Sequence, residues 1–220
     1  MIKAAIFDLD GTLANTLPDL TEGMCRARAR YGFPPITEKE ILKFVNGTTD
    51  DYVHKCFPEG QDEDFFQQAK KVYIEEYSRC YLNNTYAYEG MTSLMDDLKS
   101  RGIRLAVFTN KDHKSANDIV KKLYGDGVFE IILGTGFFPG KPDPAGALYL
   151  AEKLGAKPSE TVFIGDSDVD VNTAKNAGMI RLDVSWGYRD EAFLHGAGAQ
   201  YIAHDAGEIL KIIDKINSER

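Results

Sequence analysis

Short apolar runs of β-strand type alternate with amphipathic helical stretches from about residue 87 to the end of the chain. The runs that predict buried strands are residues 103–109, 130–134, 161–165, 180–184 and 200–203, and residues 2–8 supply another. Apolar residues recur at helical spacing in four segments, several of which end in glycine: residues 91–102, 113–125, 144–155 and 170–178. This alternation predicts an α/β fold with a Rossmann-like, mostly parallel sheet and helices on both faces.

The segment from residue 16 to residue 85 interrupts this alternation just after the first strand. Strand signals are nearly absent, and the sequence predicts helices over residues 16–32, 37–45, 48–57 and 63–82. We therefore predict two domains. The core domain comprises residues 1–15 and 87–220, and a helical cap domain of residues 16–86 is inserted into it.

Charge and cysteine content restrict the classes of partner. The 220 residues carry a formal net charge of -8 and no basic tail, which argues against a nucleic-acid-binding protein. Cys25, Cys56 and Cys80 are widely spaced without a metal-binding pattern, which favours reduced thiols. Because no signal peptide and no bilayer-crossing apolar run is evident, we expect a cytoplasmic protein without a membrane partner. The sequence leaves the oligomeric state open.

The first predicted strand leads into the stretch AIFDLDGTL, which places two carboxylates two residues apart. Residues at that spacing in a strand point to the same side, so Asp8 and Asp10 are expected to project together from its carboxyl end. Parallel α/β sheets bind ligands at this edge. Two like charges so close are unfavourable unless a cation, a shared proton or hydrogen bonds compensate. Taken alone, the pair is equally typical of a solvated acidic turn.

A second acidic cluster follows another buried run, in the stretch TVFIGDSDVD. Asp166, Asp168 and Asp170 end that predicted strand, and they face the first pair if the two strands are neighbours. Clustered carboxylates are hard oxygen ligands that suit Mg²⁺ together with a substrate phosphate and water. Asp168 by itself could cap the next helix, but two matching clusters are harder to explain as caps. The pattern therefore predicts a magnesium site.

Two further segments supply groups suited to a phosphoryl oxygen. Thr109 ends the 103–109 run with a hydroxyl, and Asn110 follows it with an amide. In GKPDP, Lys141 precedes a proline, so its loop is restricted and can aim the ammonium. A cation there would neutralise both phosphate and carboxylates. Each signal alone is also typical of a helix cap or a surface lysine.

The segments FDLDGTL, FTN, GKPDP and FIGDSDVDVNTAKNAG together resemble the four motifs of the haloacid dehalogenase superfamily, in its order and along the whole chain. The helical insert after the first motif resembles the α-helical cap subclass. Within the superfamily, the stretches FVNGTTDDYV and VSWGYRD are similar to phosphoglycolate phosphatases. The resemblance implies a Mg²⁺-dependent hydrolase of a small phosphomonoester.

The resemblance also implies catalytic roles. Asp8 would be the nucleophile that forms an aspartyl-phosphate, and Asp10 would be the general acid and then the general base. Thr109, Asn110 and Lys141 would hold the transferring phosphoryl group and stabilise its charge.

The same resemblance implies the metal ligands and the type of bond cleaved. Asp8, the backbone carbonyl of Asp10 and Asp166 would bind Mg²⁺, with Asp170 either a ligand or a support for the others. By the same resemblance, the dehalogenases of the superfamily carry an aromatic residue at the position of Asp10, and the phosphonate-cleaving relatives carry alanine there. An aspartate therefore favours phosphate esters, whose alkoxide leaving group needs a proton.

The cap loop KFVNGTTDD bears on the substrate. By the same resemblance, the β-phosphoglucomutase branch carries a cationic residue in this loop that holds a second phosphate. The loop of this chain has no cationic residue after Lys43. We predict that Asn46, Gly47 and Thr48 contact a short carboxylate or hydroxyl; the alternative is that they only turn the chain between two cap helices.

The predicted substrate is 2-phosphoglycolate. A sugar-phosphate mutase, a pyrophosphatase and a nucleotide phosphatase remain alternatives, because leaving groups are recognised by cap geometry rather than by a motif. A non-enzymatic binding protein is disfavoured, because such a protein is expected to lose the nucleophile, the acid or the metal carboxylate, and all of them are present.

Overall fold

The structure, a computed structural model, describes residues 1–45 and 47–219. The strands are β1 Ala4–Phe7, β2 Ala14–Asn15, β3 Tyr86–Ala87, β4 Arg104–Asp112, β5 Ile131–Thr135, β6 Thr161–Gly165, β7 Ile180–Val184 and β8 Tyr201–Ala203. The helices are α1 Leu17–Arg30, α2 Glu38–Ile41, α3 Thr49–Cys56, α4 Glu63–Ser78, α5 Met91–Ser100, α6 His113–Tyr124, α7 Ala145–Lys153, α8 Asp168–Ala177, α9 Glu191–Ala197 and α10 Ala206–Ser218.

Six strands form one parallel sheet in the order β5-β4-β1-β6-β7-β8. Every residue of β1 is buried, as expected for a central strand covered on both faces. Because side chains alternate along a strand, Ile6 faces a core shared with α7 and α8, whereas Phe7 points to the opposite face. There Phe7 packs edge-on against Phe129, which in turn contacts Tyr124 of α6. The predicted α/β class, with a Rossmann-like parallel sheet and helices on both faces, is confirmed.

The ends of two strands differ from the sequence prediction. β1 ends at Phe7, so Asp8 and Asp10 lie beyond the strand and its side-chain alternation does not orient them. The chain turns there instead, and the Leu9 carbonyl accepts hydrogen bonds from the amides of Leu13 and Ala14. β4 runs on to residue 112, with a register shift between residues 108 and 112. That irregular end carries residues 109–111.

The predicted helices also differ in extent. A helix over residues 37–45 was expected, but α2 is a single turn, and residues 42–45 are turns. α9 and α10 were not among the predicted helices. In each, the aspartate before the first helical residue accepts a backbone hydrogen bond, Asp190 from Phe193 and Asp205 from Glu208. These caps are the sequence signal that would have located both helices. None of the helices in the described part of the chain is both long and apolar enough to cross a membrane.

The chain divides into two compact units, one of Met1–Ala14 with Ala87–Arg220 and the other of Asn15–Tyr86. The first unit contains the six-stranded sheet and the helices α5 to α10. The second contains α1 to α4. The short strands β2 and β3, where the chain passes from one unit to the other, pair as a separate two-stranded sheet.

A buried carboxylate holds together the two ends of the helical unit. Asp19, in the first turn of α1, has no exposed surface. It accepts hydrogen bonds from the Asn84 amide at 2.9 Å, the Asn84 side-chain nitrogen at 3.1 Å, the Thr85 amide at 2.9 Å and the Thr85 hydroxyl at 2.8 Å. Four donors compensate the burial of the charge, which is otherwise costly.

Replacing Asp19 with alanine should destabilise the helical unit, because these donors lose their acceptor inside the protein. We expect Asp19→Ala to lower the free energy of unfolding by about 2–4 kcal/mol. Asp64→Ala, which removes an exposed carboxylate from the first turn of α4, is the control and should change it by about 0.5 kcal/mol or less. Urea titrations followed by circular dichroism measure both. Equal effects of the two variants would contradict the assignment.

Candidate active site

Three neighbouring strands end at one edge of the sheet, and polar side chains stand at each end. β1 lies between β4 and β6. Asp8 directly follows β1, Asp166 directly follows β6, and Thr109 lies near the end of β4. Because the strands run parallel, their carboxyl ends meet at the same edge, where α/β sheets bind ligands. Lys141 comes to this edge from the loop between β5 and α7.

Three carboxylates are gathered at this edge. Asp8, Asp166 and Asp170 each offer an oxygen, and these oxygens lie within 4.8 Å of one another. Their residues are 5%, 0% and 1% exposed, respectively. Asp168 is the first residue of α8, is only half-buried, and does not join this group. The three buried aspartates are called the carboxylate cluster below.

Donors from the surrounding chain orient two members of the cluster. Asp170 Oδ2 accepts hydrogen bonds from the Asp166 amide at 3.2 Å, the Ser167 amide at 3.1 Å and the Ser167 hydroxyl at 2.6 Å. Asp166 accepts from the Thr12 hydroxyl at 3.1 Å and from the Tyr188 amide at 2.7 Å. Both carboxylates are therefore held by the fold itself.

Lys141 supplies a positive charge to the cluster. Its Nζ lies 2.8 Å from Asp8 Oδ1 and 2.6 Å from Asp170 Oδ1, and the residue is 6% exposed. Asn110 fixes the backbone of this lysine: its Oδ1 accepts from the Lys141 amide at 2.7 Å, and its Nδ2 donates to the Lys141 carbonyl at 3.1 Å. The side chain of Asn110 thus positions Lys141, a use that the sequence pattern did not indicate.

Burial dominates the electrostatics of the cluster. It raises the pKa of Asp8 to about 7, although Lys141 opposes the shift. It also holds the pKa of Asp166 well above its usual range, and the charges of Asp170 and Asp8 add to the effect. Burial alone would lower the pKa of Lys141, but the facing carboxylates of Asp170 and Asp8 raise it overall, so the lysine stays charged.

The carboxylate cluster fits a divalent cation. Three carboxyl groups face one ammonium, so ionising all three would leave an excess of negative charge away from water. Asp8 Oδ1 lies 2.8 Å from the Lys141 ammonium, and no other donor among the described residues reaches it. A cation would supply the missing charge and a partner for that oxygen. Asp8, Asp166 and Asp170 are the residues that could hold it, since hard divalent ions prefer such oxygen ligands.

Asp10 contacts a second buried lysine. Nζ of Lys111 lies 3.1 and 3.3 Å from the two carboxylate oxygens of Asp10, and Lys111 is 8% exposed. Asp8 and Asp10 therefore contact different lysines, although they are only two residues apart. Lys111 was not among the predicted site residues. Its only signal in the sequence was its place directly after Asn110 in FTNKD.

Comparison with known proteins places this arrangement in a family. The model of the haloacid dehalogenase-like hydrolases matches residues 5–184, a range that includes every residue of the cluster and both lysines. The chain belongs to the haloacid dehalogenase-like hydrolases. The predicted superfamily is thereby confirmed.

Relatives of this hydrolase are similar over nearly their whole length. It is 32% identical over 199 residues to the phosphoglycolate phosphatase of Rhodospirillum rubrum, covering 87% of this chain and 83% of that protein. It is 29% identical over 220 residues to the phosphoglycolate phosphatase of Vibrio vulnificus (strain CMCP6), covering 96% of each. A crystal structure described as a predicted phosphoglycolate phosphatase from Haemophilus somnus 129pt has a TM-score of 0.89 and 30% identity, covering 96% of this chain and 98% of that one.

Glycines surround the carboxylate cluster of the hydrolase. Gly11 has a φ of +85°, which favours glycine, and a Cβ there would overlap the Asp166 carboxylate. A Cβ on Gly187 would overlap the Asp166 side chain as well. The residues on either side of Gly187 also make contacts: the Trp186 indole donates to the Thr12 carbonyl at 3.2 Å, and Tyr188 donates to Asp166. These contacts give Trp186 and Tyr188 packing and positioning roles.

The predicted cap residues have local roles where the structure describes them. Thr48 caps α3, since its hydroxyl accepts from the Asp51 amide at 3.2 Å while Asp51 accepts from the Thr48 amide and hydroxyl. Gly47 precedes this cap and is half-buried. Asn46 lies outside the described residues. The capping box accounts for Thr48 without a ligand.

Adding a methyl group at Gly187 should disturb the cluster, because it has no space beside Asp166. We expect Gly187→Ala to lower the melting temperature of the hydrolase by about 3–10 °C, as overpacking typically costs about 1–3 kcal/mol. Gly196→Ala is the matched control, since a Cβ there, inside α9, meets open space. Differential scanning fluorimetry compares the two. A Gly187→Ala protein as stable as the control would show that Asp166 can move aside.

A further buried aspartate lies near the cluster but outside it. Asp183, in β7, is 2% exposed, and its Oδ2 has no hydrogen-bond partner among the described residues. Burial raises the pKa of Asp183 to about 8, and the negative charges of Asp170 and Asp166 add to this. Between pH 4 and 8 the unfolded chain thus releases a proton that the folded hydrolase keeps. This group therefore makes the fold less stable as the pH rises through that range.

Replacing Asp183 with asparagine should remove that pH dependence. We compare the free energy of unfolding of Asp183→Asn with that of the wild type at pH 5 and at pH 8.5. The difference in favour of the variant should be larger at pH 8.5 by about 2 kcal/mol or more, since each pKa unit corresponds to about 1.4 kcal/mol. Taking the difference between the two pH values cancels any constant cost of the amide. Chelator-treated protein is unfolded in urea at both values, with exposed Asp126→Asn as the control. An equal difference in free energy of unfolding at both pH values would show that Asp183 does not cause this pH dependence.

Proposed function

We propose that this hydrolase is a Mg²⁺-dependent phosphatase that cleaves 2-phosphoglycolate through an aspartyl-phosphate intermediate. The observation that carries the proposal is the buried carboxylate cluster with Lys141 bridging Asp8 and Asp170. Such a site combines a nucleophile, a cation and a place for a divalent metal at the ligand-binding edge of the sheet.

In the proposed first step, a carboxylate oxygen of Asp8 attacks phosphorus, and the ester bond to the leaving alcohol breaks. Asp10 donates a proton to the alkoxide that leaves. In the second step Asp10 takes a proton from water, which attacks the phosphorus of the aspartyl-phosphate. Inorganic phosphate leaves, and the Asp8 carboxylate is restored.

The remaining core residues hold the phosphoryl group. Lys141 faces Asp8, so its charge would stabilise both the ionised nucleophile and the phosphoryl oxygens in the transition state. Thr109, near the end of β4, is 3% exposed, and its hydroxyl already accepts a hydrogen bond from the Lys111 amide at 3.2 Å. Its hydroxyl proton would therefore serve a phosphoryl oxygen. Asn110 remains a proposed phosphate-binding residue, and it would contribute by holding the loop that carries Lys141.

The metal proposed for this site is Mg²⁺. Asp8, Asp166 and Asp170 would hold it by side-chain oxygens, and the backbone carbonyl of Asp10 is a proposed further ligand. When bound, Mg²⁺ would neutralise negative charge shared by the cluster and the substrate phosphate.

The substrate assignment draws on relatives and on the cap. The proteins from Rhodospirillum rubrum and Vibrio vulnificus that this hydrolase resembles are both named phosphoglycolate phosphatase. Asn46, Gly47 and Thr48 remain proposed substrate contacts, although Thr48 already has a structural use as a helix cap. We also propose a cytoplasmic location, consistent with three cysteines that form no disulfide.

Phosphate release from a small substrate panel tests the proposal. The panel contains 2-phosphoglycolate, β-glucose 1-phosphate, pyrophosphate and a nucleoside monophosphate, each with Mg²⁺ and with chelator. We expect turnover that requires Mg²⁺ and is fastest on 2-phosphoglycolate. Asp8→Asn should reduce it at least about 1000-fold, because an amide cannot serve as the nucleophile.

Exposed Asp126→Asn is the matched control and should keep wild-type rates. A different ranking in the panel would retain the chemistry and overturn the glycolate assignment. Turnover that survives in Asp8→Asn would overturn the mechanism.

A further inference from the structure

We propose that Lys111 is a specificity-determining residue, whose buried ammonium binds a carboxylate carried by the leaving alcohol. The inference rests on the proposed phosphatase function and deepens it, since it names the part of the substrate that is recognised. The observation behind it is the contact of Lys111 with both carboxylate oxygens of Asp10, at 3.1 and 3.3 Å.

The two buried lysines of the site contact different carboxylates. Lys141 lies against Asp8 and Asp170, where the phosphoryl group is transferred. Lys111 lies against Asp10 instead. Both side chains are nearly inaccessible, with exposed fractions of 3% for Lys141 and 4% for Lys111. The positive charge needed by the phosphoryl group is thus already supplied by Lys141, and Lys111 is a second charge in a different position.

The position of Asp10 determines which part of a substrate Lys111 can reach. Asp10 must approach the ester oxygen to donate its proton, so groups beside Asp10 lie beside the leaving alcohol. In 2-phosphoglycolate a single methylene separates the ester oxygen from the carboxylate. A cation that touches Asp10 is therefore within reach of that carboxylate, while Lys141 remains with the phosphate.

Burial makes this cation selective. Charges attract more strongly in a low-dielectric site than at the surface, and a buried ammonium strongly favours an anionic group over a neutral one of the same size. The side chain of Asp10 is 19% exposed and that of Lys111 is 4% exposed, so the pair is partly open at Asp10. The backbone of Lys111 is fixed too, because its amide donates to the Thr109 hydroxyl at 3.2 Å. Lys111 thus has a defined position relative to the reacting groups.

The test compares two substrates that differ in the charge of the leaving alcohol. They are 2-phosphoglycolate and 2-hydroxyethyl phosphate, which has the same number of carbons and no carboxylate. Values of kcat and KM are measured with Mg²⁺ for the wild type, Lys111→Met, Lys111→Gln and Lys111→Arg. Lys121→Met, which removes an exposed lysine of α6, is the control.

We expect the wild type to prefer 2-phosphoglycolate in kcat/KM. Lys111→Met and Lys111→Gln should reduce this preference at least about tenfold, mainly through KM, because the carboxylate loses its charged partner. Lys111→Arg should retain part of the preference, and Lys121→Met all of it. Circular dichroism shows which variants are folded, and the two neutral replacements provide independent versions of the same test.

Each other result has a distinct meaning. If the neutral variants lose activity on both substrates equally, Lys111 only positions Asp10 and the proposal is overturned. If they keep the wild-type preference, it is overturned as well. If the wild type hydrolyses both substrates without preference, the glycolate assignment and the role of Lys111 fail together. If the wild type hydrolyses neither, the proposed function itself has failed.

Discussion

The bridge that Lys141 makes between Asp8 and Asp170 is the interaction on which the site depends. It brings a carboxylate from the end of β1 and one from α8 into contact with a single ammonium, nearly out of reach of water. Burial would otherwise favour the neutral form of each group. Asn110 fixes the backbone of Lys141, so a residue of β4 helps to hold a contact between two other elements. The remaining negative charge is what suits the cluster to a cation.

The parallel sheet provides the positions that this bridge needs. β1 lies between β4 and β6, so the segments that follow these strands start side by side. Close approach is then possible because several neighbours have no side chain. Gly11 and Gly187 border Asp166, and Gly165 borders Asp170, in each case where a Cβ would overlap the carboxylate. The lack of a side chain at these glycines is therefore as necessary for the site as its charged groups.

Sequence patterns predicted the fold class and most of the charged residues of the site, because both depend on local order. The alternation of strands and helices predicted the sheet. Asp8, Lys141 and Asp166 were identified directly from the short motifs that contain them. The contact between Lys111 and Asp10 joins residues 101 positions apart and follows no sequence period. For the same reason, the sequence did not predict that Asn110 fixes the backbone of Lys141. Nor did it predict that Asp8 and Asp10 contact different lysines.

The sequence by itself determined that this chain forms a parallel α/β sheet with acidic groups after its strands, since hydrophobic periodicity specifies strands and parallel strands align their carboxyl ends. It also determined the family, because four motifs occur in one order. Only the tertiary structure decided which oppositely charged groups meet. Pairing among two lysines and four aspartates depends on strand register, on loop paths and on the space left by glycines, and these are set by packing between distant segments.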